Sequence, residues 1–126
     1  MEFKKVLLID DAPEMGRLVK MALRKKPEIE FTHVTNGAEG IQAIEANSPD
    51  LVLLDFMLEA ESGLDVVAAM KKKWNQLPVI IFFTGASDEK AIQEMKATGA
   101  KGRIEKPFSP ATLVDSLQKI LQEPWA

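Results

Sequence analysis

VLLIDDAPEM, residues 6–15, sets four aliphatic residues in a row against two adjacent aspartates and then a proline. A short, unbroken aliphatic run that ends in turn chemistry reads as a strand buried on both faces, as in a parallel sheet covered by helices. Such a strand delivers Asp10 and Asp11 to its carboxyl end. Pro13 suits the first turn of a following helix. Two carboxylates at the mouth of a buried strand repel each other, so this end of the sheet needs a cation, or a chemistry that uses the charge.

The same grammar recurs along the chain. Apolar runs at 29–34, 51–54 (LVLL) and 79–83 (VIIFF) are predicted strands, and a weaker run at 101–105 suits a sheet edge. Between them lie helical patterns. Met15, Leu18, Val19, Ala22 and Leu23 follow three-and-four spacing over 14–25. Asn36 is placed to cap a helix over 37–46, with Glu39 as its reciprocal partner. A helix over 64–74 buries Val67 and Met70 and ends in three lysines, which suit a helix C-terminus. Ser87 or Asp88 opens the next helix and Gly99 closes it. Ser109 and Pro110 are the expected cap and first position of the last, which runs through Leu113, Val114, Leu117, Ile120 and Leu121.

Strands alternating with helices imply right-handed crossovers and a doubly wound α/β sheet, in which ligands sit beyond the carboxyl ends of the strands. That rim receives Asp10 and Asp11 from the first strand, Asp55 from the third, Thr84 from the fourth and Lys106 from the fifth. Three clustered carboxylates are tolerated when a cation compensates them. An all-oxygen set without His or Cys points to Mg2+, with Mn2+ as a substitute. A lysine and a hydroxyl on the same rim suit a transferring phosphoryl group. Asp55, alone at the end of LVLLD, is the natural nucleophile, and the Asp10–Asp11 pair the natural metal site.

Composition bounds the rest. The 126 residues suffice for one domain with a single core, and 46% hydrophobic with 28% charged residues is ordinary for a globular chain. A formal net charge of −3 argues against nucleic-acid binding by global attraction to phosphates. Cysteine is absent, which excludes disulfides and thiolate metal sites. No run is long enough for a signal peptide or a membrane span, so a cytoplasmic location without membrane contact is expected. There is no Walker loop, no GxGxxG after the first strand and no HRD-type segment, so a nucleotide-binding kinase is poorly supported.

IDD, LVLLD, FFTG and EKPF, in this order and on these elements, resemble the receiver domain of two-component response regulators over essentially the whole chain. The resemblance implies a flavodoxin-like (βα)5 fold with strand order 2-1-3-4-5, residues 1–122 as the receiver, and 123–126 as a tail or the start of an interdomain linker. It implies phosphorylation of Asp55 by a sensor histidine kinase or histidine phosphotransfer protein, followed by self-dephosphorylation. Asp11, Asp55 and the backbone carbonyl of Met57 would bind Mg2+, with Asp10 acting through water. Thr84 and Lys106 would hold phosphoryl oxygens, and the Lys106–Pro107 peptide would be cis. Output would pass through the face of the fourth helix, fifth strand and fifth helix to a downstream protein or output domain, with a phosphorylation-dependent dimer as one form.

Three positions depart from that pattern. Arg103 stands where the family has an aromatic residue that moves with the threonine, and is expected to pair with an acid of a partner or of the fourth helix. Glu59 replaces a proline, which implies mobility or added charge in the loop after Asp55. Met57 places an apolar side chain at a position that influences dephosphorylation.

Other readings stay open. Taken singly, Asp10 and Asp11 read as a helix cap and a solvated acid, Thr84 as a strand-end hydroxyl and Lys106 as an exposed charge; their combination favours a site. His33 lacks the flanking acid of a kinase histidine. Met15, Met21, Met70 and Met95 read as packing residues, and Trp74 and Trp125 as partly packed. A phosphorylation-independent scaffold remains an alternative. An aspartyl-phosphate phosphatase lacks its DxDx(T/V) signature here, and a flavodoxin lacks its phosphate loop.

Overall fold

The computed structural model describes residues 2–85 and 87–125; Met1, Ala86 and Ala126, including the outermost residues assigned to the receiver and its tail, lie outside the described residues. Five strands, β1 (Lys5–Ile9), β2 (Glu30–Val34), β3 (Leu51–Asp55), β4 (Val79–Thr84) and β5 (Gly102–Glu105), form one parallel sheet in the order β2-β1-β3-β4-β5. This is the expected flavodoxin-like order. The period of two along each strand sorts side chains between two cores. Val6, Leu8, Leu51, Leu53, Ile81 and Phe83 face one side, while Leu7, Ile9, Val52, Leu54, Ile80 and Phe82 face the other. The first core is closed by helices α1 (Pro13–Ala22) and α5 (Leu113–Gln122), the second by α2 (Gly37–Asn47), α3 (Gly63–Lys73) and α4 (Glu89–Ala97). Continuous aliphatic strands are thus explained by burial on both faces.

Helix ends follow local chemistry. Pro13 opens α1, which tightens into a 3-10 turn, Leu23–Lys25, rather than staying α-helical to residue 25. Pro27 accounts for the stop: the residue before a proline is pushed out of the helical region, and Lys26 has φ −131° and ψ 77°. The Asn36 side chain accepts from the Glu39 backbone N–H at 2.9 Å, as expected. The Glu39 carboxylate takes the Asn36 side-chain amide and the Thr35 hydroxyl. Asp88 caps α4, and Gly99 beyond its end has φ +91°, the left-handed conformation that glycine adopts without a Cβ clash. One expected cap is corrected. Ser109 and Pro110 do not start α5: the Ser109 carbonyl and hydroxyl accept from Thr112 and Ala111 in a separate turn, and the helix begins at Leu113.

Asp50 is a clamp that periodicity does not reveal. Its carboxylate accepts from the backbone N–H groups of Lys4 and Lys5 at 2.8 and 3.0 Å, tying the start of β1 to the turn before β3. Those backbone bonds hold the Asp50 carboxyl below its ordinary value of 3.8. A depressed acid contributes stability that is present above its unfolded pKa and is lost as pH falls through its folded one. Asp50→Ala is therefore expected to cost about 1 kcal/mol at neutral pH, the site being largely solvated. The difference from wild type should begin to narrow only as pH drops below about 4 in urea titrations. A pH-independent difference would show that the carboxylate charge is not what holds β1.

Candidate functional site

Strand ends converge on one rim because all five strands point the same way. Asp10 follows β1, Asp55 and Thr84 end β3 and β4, and Lys106 follows β5. The last two strands are joined beyond their ladder by the Lys106 N–H donating to the Thr84 carbonyl at 2.9 Å. The Lys106–Pro107 peptide is cis.

The side chains of Asp10, Asp11, Asp55 and Lys106 meet here, and Thr84 ends the strand beside them. Oxygens of Asp10, Asp11 and Asp55 lie within 4.8 Å of one another. Asp10 is 0% exposed, Asp55 6% and Thr84 2%, which makes them the buried polar residues among those described. The Lys106 ammonium lies 2.9 Å from Asp10 Oδ2 and 3.3 Å from Asp55 Oδ1, so one cation serves two buried carboxylates. Backbone donors complete the arrangement: Ala12 to Asp10 Oδ1 at 2.9 Å, Met57 to Asp55 Oδ1 at 3.1 Å and Glu59 to Asp11 Oδ2 at 2.8 Å.

The electrostatics fit an incompletely compensated anion cluster. Burial, then the negative charge of Asp10, pushes the Asp55 carboxyl above its ordinary value, against the Met57 N–H and Lys106. Burial draws Lys106 down, but the hydrogen bond and charge of Asp10, reinforced by Asp55, outweigh it and raise the ammonium. One lysine facing three acidic side chains leaves negative charge at a rim whose donors are all oxygen. Those residues fit a divalent oxygen-seeking cation.

The loop after Asp55 is tethered. Leu58 donates to the Glu61 carbonyl, Gly63 to the Phe56 carbonyl, and Glu61 reaches across to the Gly37 N–H. Ser62 and Asp65 form a capping box that opens α3, a signal carried by their three-residue spacing. Glu59 contributes its backbone N–H to Asp11, and the Met57 side chain is 68% exposed.

Two residues near the sheet edges find partners within the chain. Arg103 pairs with Glu105 of its own strand at 2.7 Å, rather than with an acid of α4 among the described residues. Residues two apart on a strand share a face, so the nearest acid was already in β5. His33, on β2, makes a 2.7 Å hydrogen bond through Nε2 with the Asp10 carbonyl, which gives it a bracing role beside the site. At the other edge Trp125 donates its backbone N–H to the Lys101 carbonyl and its indole N–H to the Ala100 carbonyl, while Lys96 lies over its ring. The tail through Trp125 thus packs on the domain.

Comparison with known proteins agrees with this geometry. The chain is 30% identical over 117 residues to the chemotaxis protein CheY of Thermotoga maritima, covering 93% of this chain and 97% of that one. It is 35% identical over 120 residues to the probable transcriptional regulatory protein TcrX of Mycobacterium tuberculosis, covering 93% of this chain and 49% of that one. The structure of the chemotaxis response regulator CheY4 of Vibrio cholerae superposes with a TM-score of 0.81 at 27% identity, over 94% of this chain and 99% of that one. No helix among the described residues is long and apolar enough to cross a membrane. The family model for the response regulator receiver domain matches residues 6–118, and the chain belongs to that family: it is a receiver domain of the two-component, phosphorylation-type signalling class.

Proposed function

We propose that Asp55 is the phosphoryl acceptor of this receiver. The observation that carries the reading is the Asp55 carboxylate at the strand rim, almost wholly buried, 3.3 Å from Lys106 and clustered with Asp10 and Asp11. An Asp55 oxygen attacks the phosphorus of a phosphohistidine, the P–N bond breaks, and the imidazole leaves with the electron pair of that bond. The product is an aspartyl phosphate.

Lys106 supplies a positive charge to a phosphoryl oxygen, and Thr84 donates its hydroxyl to another. Asp10, Asp11, Asp55 and the Met57 carbonyl would hold Mg2+, or Mn2+ in its place, which supplies charge neutralisation when bound. Water attack on the same phosphorus breaks the P–O bond to Asp55, releases inorganic phosphate and returns the free carboxylate. The donor is a sensor histidine kinase or histidine phosphotransfer protein. Lys106 lies between the acceptor and β5, so movement of its ammonium toward phosphate loosens the Asp10 contact and biases the α4–β5–α5 face toward its signalling arrangement. That face addresses a downstream protein, or a second copy of the chain.

Intact-mass spectrometry after incubation with acetyl phosphate tests the reading. One phosphoryl adduct is expected on the wild type with Mg2+. None is expected with EDTA or in Asp55→Asn. Absence of the adduct in a folded wild type would favour a phosphorylation-independent scaffold.

A further inference from the structure

We propose that the trough between α1 and the edge strand β2 binds an acidic peptide segment of a partner protein. The open trough has a volume of about 610 Å3, and its lining combines Arg17, Lys20, Arg24 and Lys26 with the apolar Ile29 and Phe31. No acidic residue lines it, although the chain as a whole carries a net charge of −3. None of the four cations is in an ion pair or side-chain hydrogen bond among the described residues. Unpaired cations of one sign, gathered on an otherwise acidic protein, create a local field that selects anionic ligands.

The shape distinguishes a peptide from a compact anion. Arg17 and Lys20 of α1 and Arg24 of the 3-10 turn that follows it are three and four residues apart, so they line the trough one after another over about 10 Å. Alternate residues 29, 31 and 33 line it over about 13 Å, the rise of a strand. A phosphate group calls for donors that converge on a point. A line of cations beside an apolar strip instead matches a segment with acids on one side and apolar residues on the other. Among the described residues β2 pairs only with β1, so its outer edge also offers backbone donors and acceptors to an extended segment.

Gly16 and His33 shape one end of the trough. A Cβ at Gly16 would fall 2.2 Å from His33 Nδ1, so the missing side chain makes room for the imidazole. The other ring nitrogen stays on the Asp10 carbonyl at 2.7 Å. An occupant at this end therefore rests against a ring that is bonded to the backbone of the acidic site. The inference stands apart from the phosphoryl-transfer reading, and uses a surface on the opposite sheet edge from β5.

Fluorescence anisotropy of a fluorescein-labelled synthetic peptide of about twelve residues, alternating Glu with Leu and Phe, tests the proposal. Its twin carries Lys in place of Glu. Binding of the glutamate peptide is expected to weaken at least about tenfold in the exposed double variant Arg17→Glu, Arg24→Glu, and likewise when salt is raised from about 50 to about 300 mM. The lysine twin should not bind. Lys71→Glu with Lys72→Glu, on α3, should leave binding unchanged, and thermal melts confirm that both double variants fold. No binding by the wild type at about 1 mM peptide, a weak class on the usual affinity scale, would overturn the proposal. So would equal binding by the charge-reversed variant, complete displacement by equimolar pyrophosphate, or association only with phosphatidylglycerol-containing vesicles.

Discussion

Lys106→Met is expected to lower stability by about 3 kcal/mol in metal-free buffer, with Mg2+ restoring part of the loss. Asp10 is 0% exposed, and the Lys106 ammonium at 2.9 Å is its only cationic partner among the described residues. The same ammonium lies 3.3 Å from Asp55, so the substitution leaves two buried carboxylates uncompensated beside Asp11. Methionine keeps much of the apolar stem, so the loss reports charge more than packing. A divalent cation held by the acidic cluster would take over part of the neutralisation. The pH dependence has a defined sign. Asp55 has a folded pKa above its unfolded value, so its unfavourable contribution is present above the folded pKa and is relieved as pH falls through it. Removing Lys106 raises that carboxyl further, so the deficit should shrink toward acid pH. Urea titrations with EDTA and with Mg2+ measure both effects. A deficit below about 1 kcal/mol in EDTA would mean that Lys106 is not the charge that permits Asp10 to be buried.

The legible part of this molecule is the part that periodicity controls. LVLL and VIIFF have no polar face, and that is why they read as two-sided strands and are found between two cores. Once the strands are parallel, their polar terminal residues must share a rim, so Asp10, Asp55, Thr84 and Lys106 could be gathered without knowing any distance. The Asp10–Lys106 contact is another matter. It joins residues 96 positions apart, and its role in making a fully buried carboxylate tolerable depends on depth that the sequence does not record.

Where a residue had several local options, the sequence reading was less reliable. Ser109 and Pro110 match a cap and first turn, yet Thr112 bonds back to Ser109 and closes a separate turn before α5. Within the chain Arg103 was expected to reach an acid of α4, but Glu105 lies two residues along the same face at 2.7 Å. Met21 belongs to the methionines expected to pack and is 50% exposed, whereas Met70 and Met95 are buried. It sits one position off the stripe of Met15, Val19 and Ala22, and a helix turns about 100° per residue. Trp125 illustrates a different limit. Its partners are the backbone carbonyls of Ala100 and Lys101, which every residue possesses, so no sequence pattern marks them.

Gly63→Ala is expected to destabilise the domain by about 2–3 kcal/mol, although alanine is the better helix former by about 1 kcal/mol. Gly63 is the first residue of α3, directly after the Ser62 cap, and its N–H donates to the Phe56 carbonyl at 2.8 Å. A Cβ there would lie 2.6 Å from the Asp55 carbonyl oxygen, 2.9 Å from the Phe82 ring and 3.2 Å from the Phe56 Cα. Two of those neighbours are backbone, and Phe82 is itself fully buried edge-on to Phe56, so none has an easy direction in which to yield. Relief requires α3 to move away from the end of β3, carrying the 57–62 loop and the Asp55 backbone with it. Gly85→Ala supplies the contrast, because a Cβ there meets nothing within 4 Å. Reduced freedom of the unfolded chain should leave that variant neutral, or more stable by about 0.5 kcal/mol. Urea titration separates the two, and, on the proposed role of Asp55, the rate of Mg2+-dependent adduct formation with acetyl phosphate should fall in Gly63→Ala because the Asp55 carboxylate is displaced from Lys106. Equal stability of the two variants would mean that α3 tolerates the added methyl group, and that the close approach of its first turn to β3 does not fix the position of Asp55.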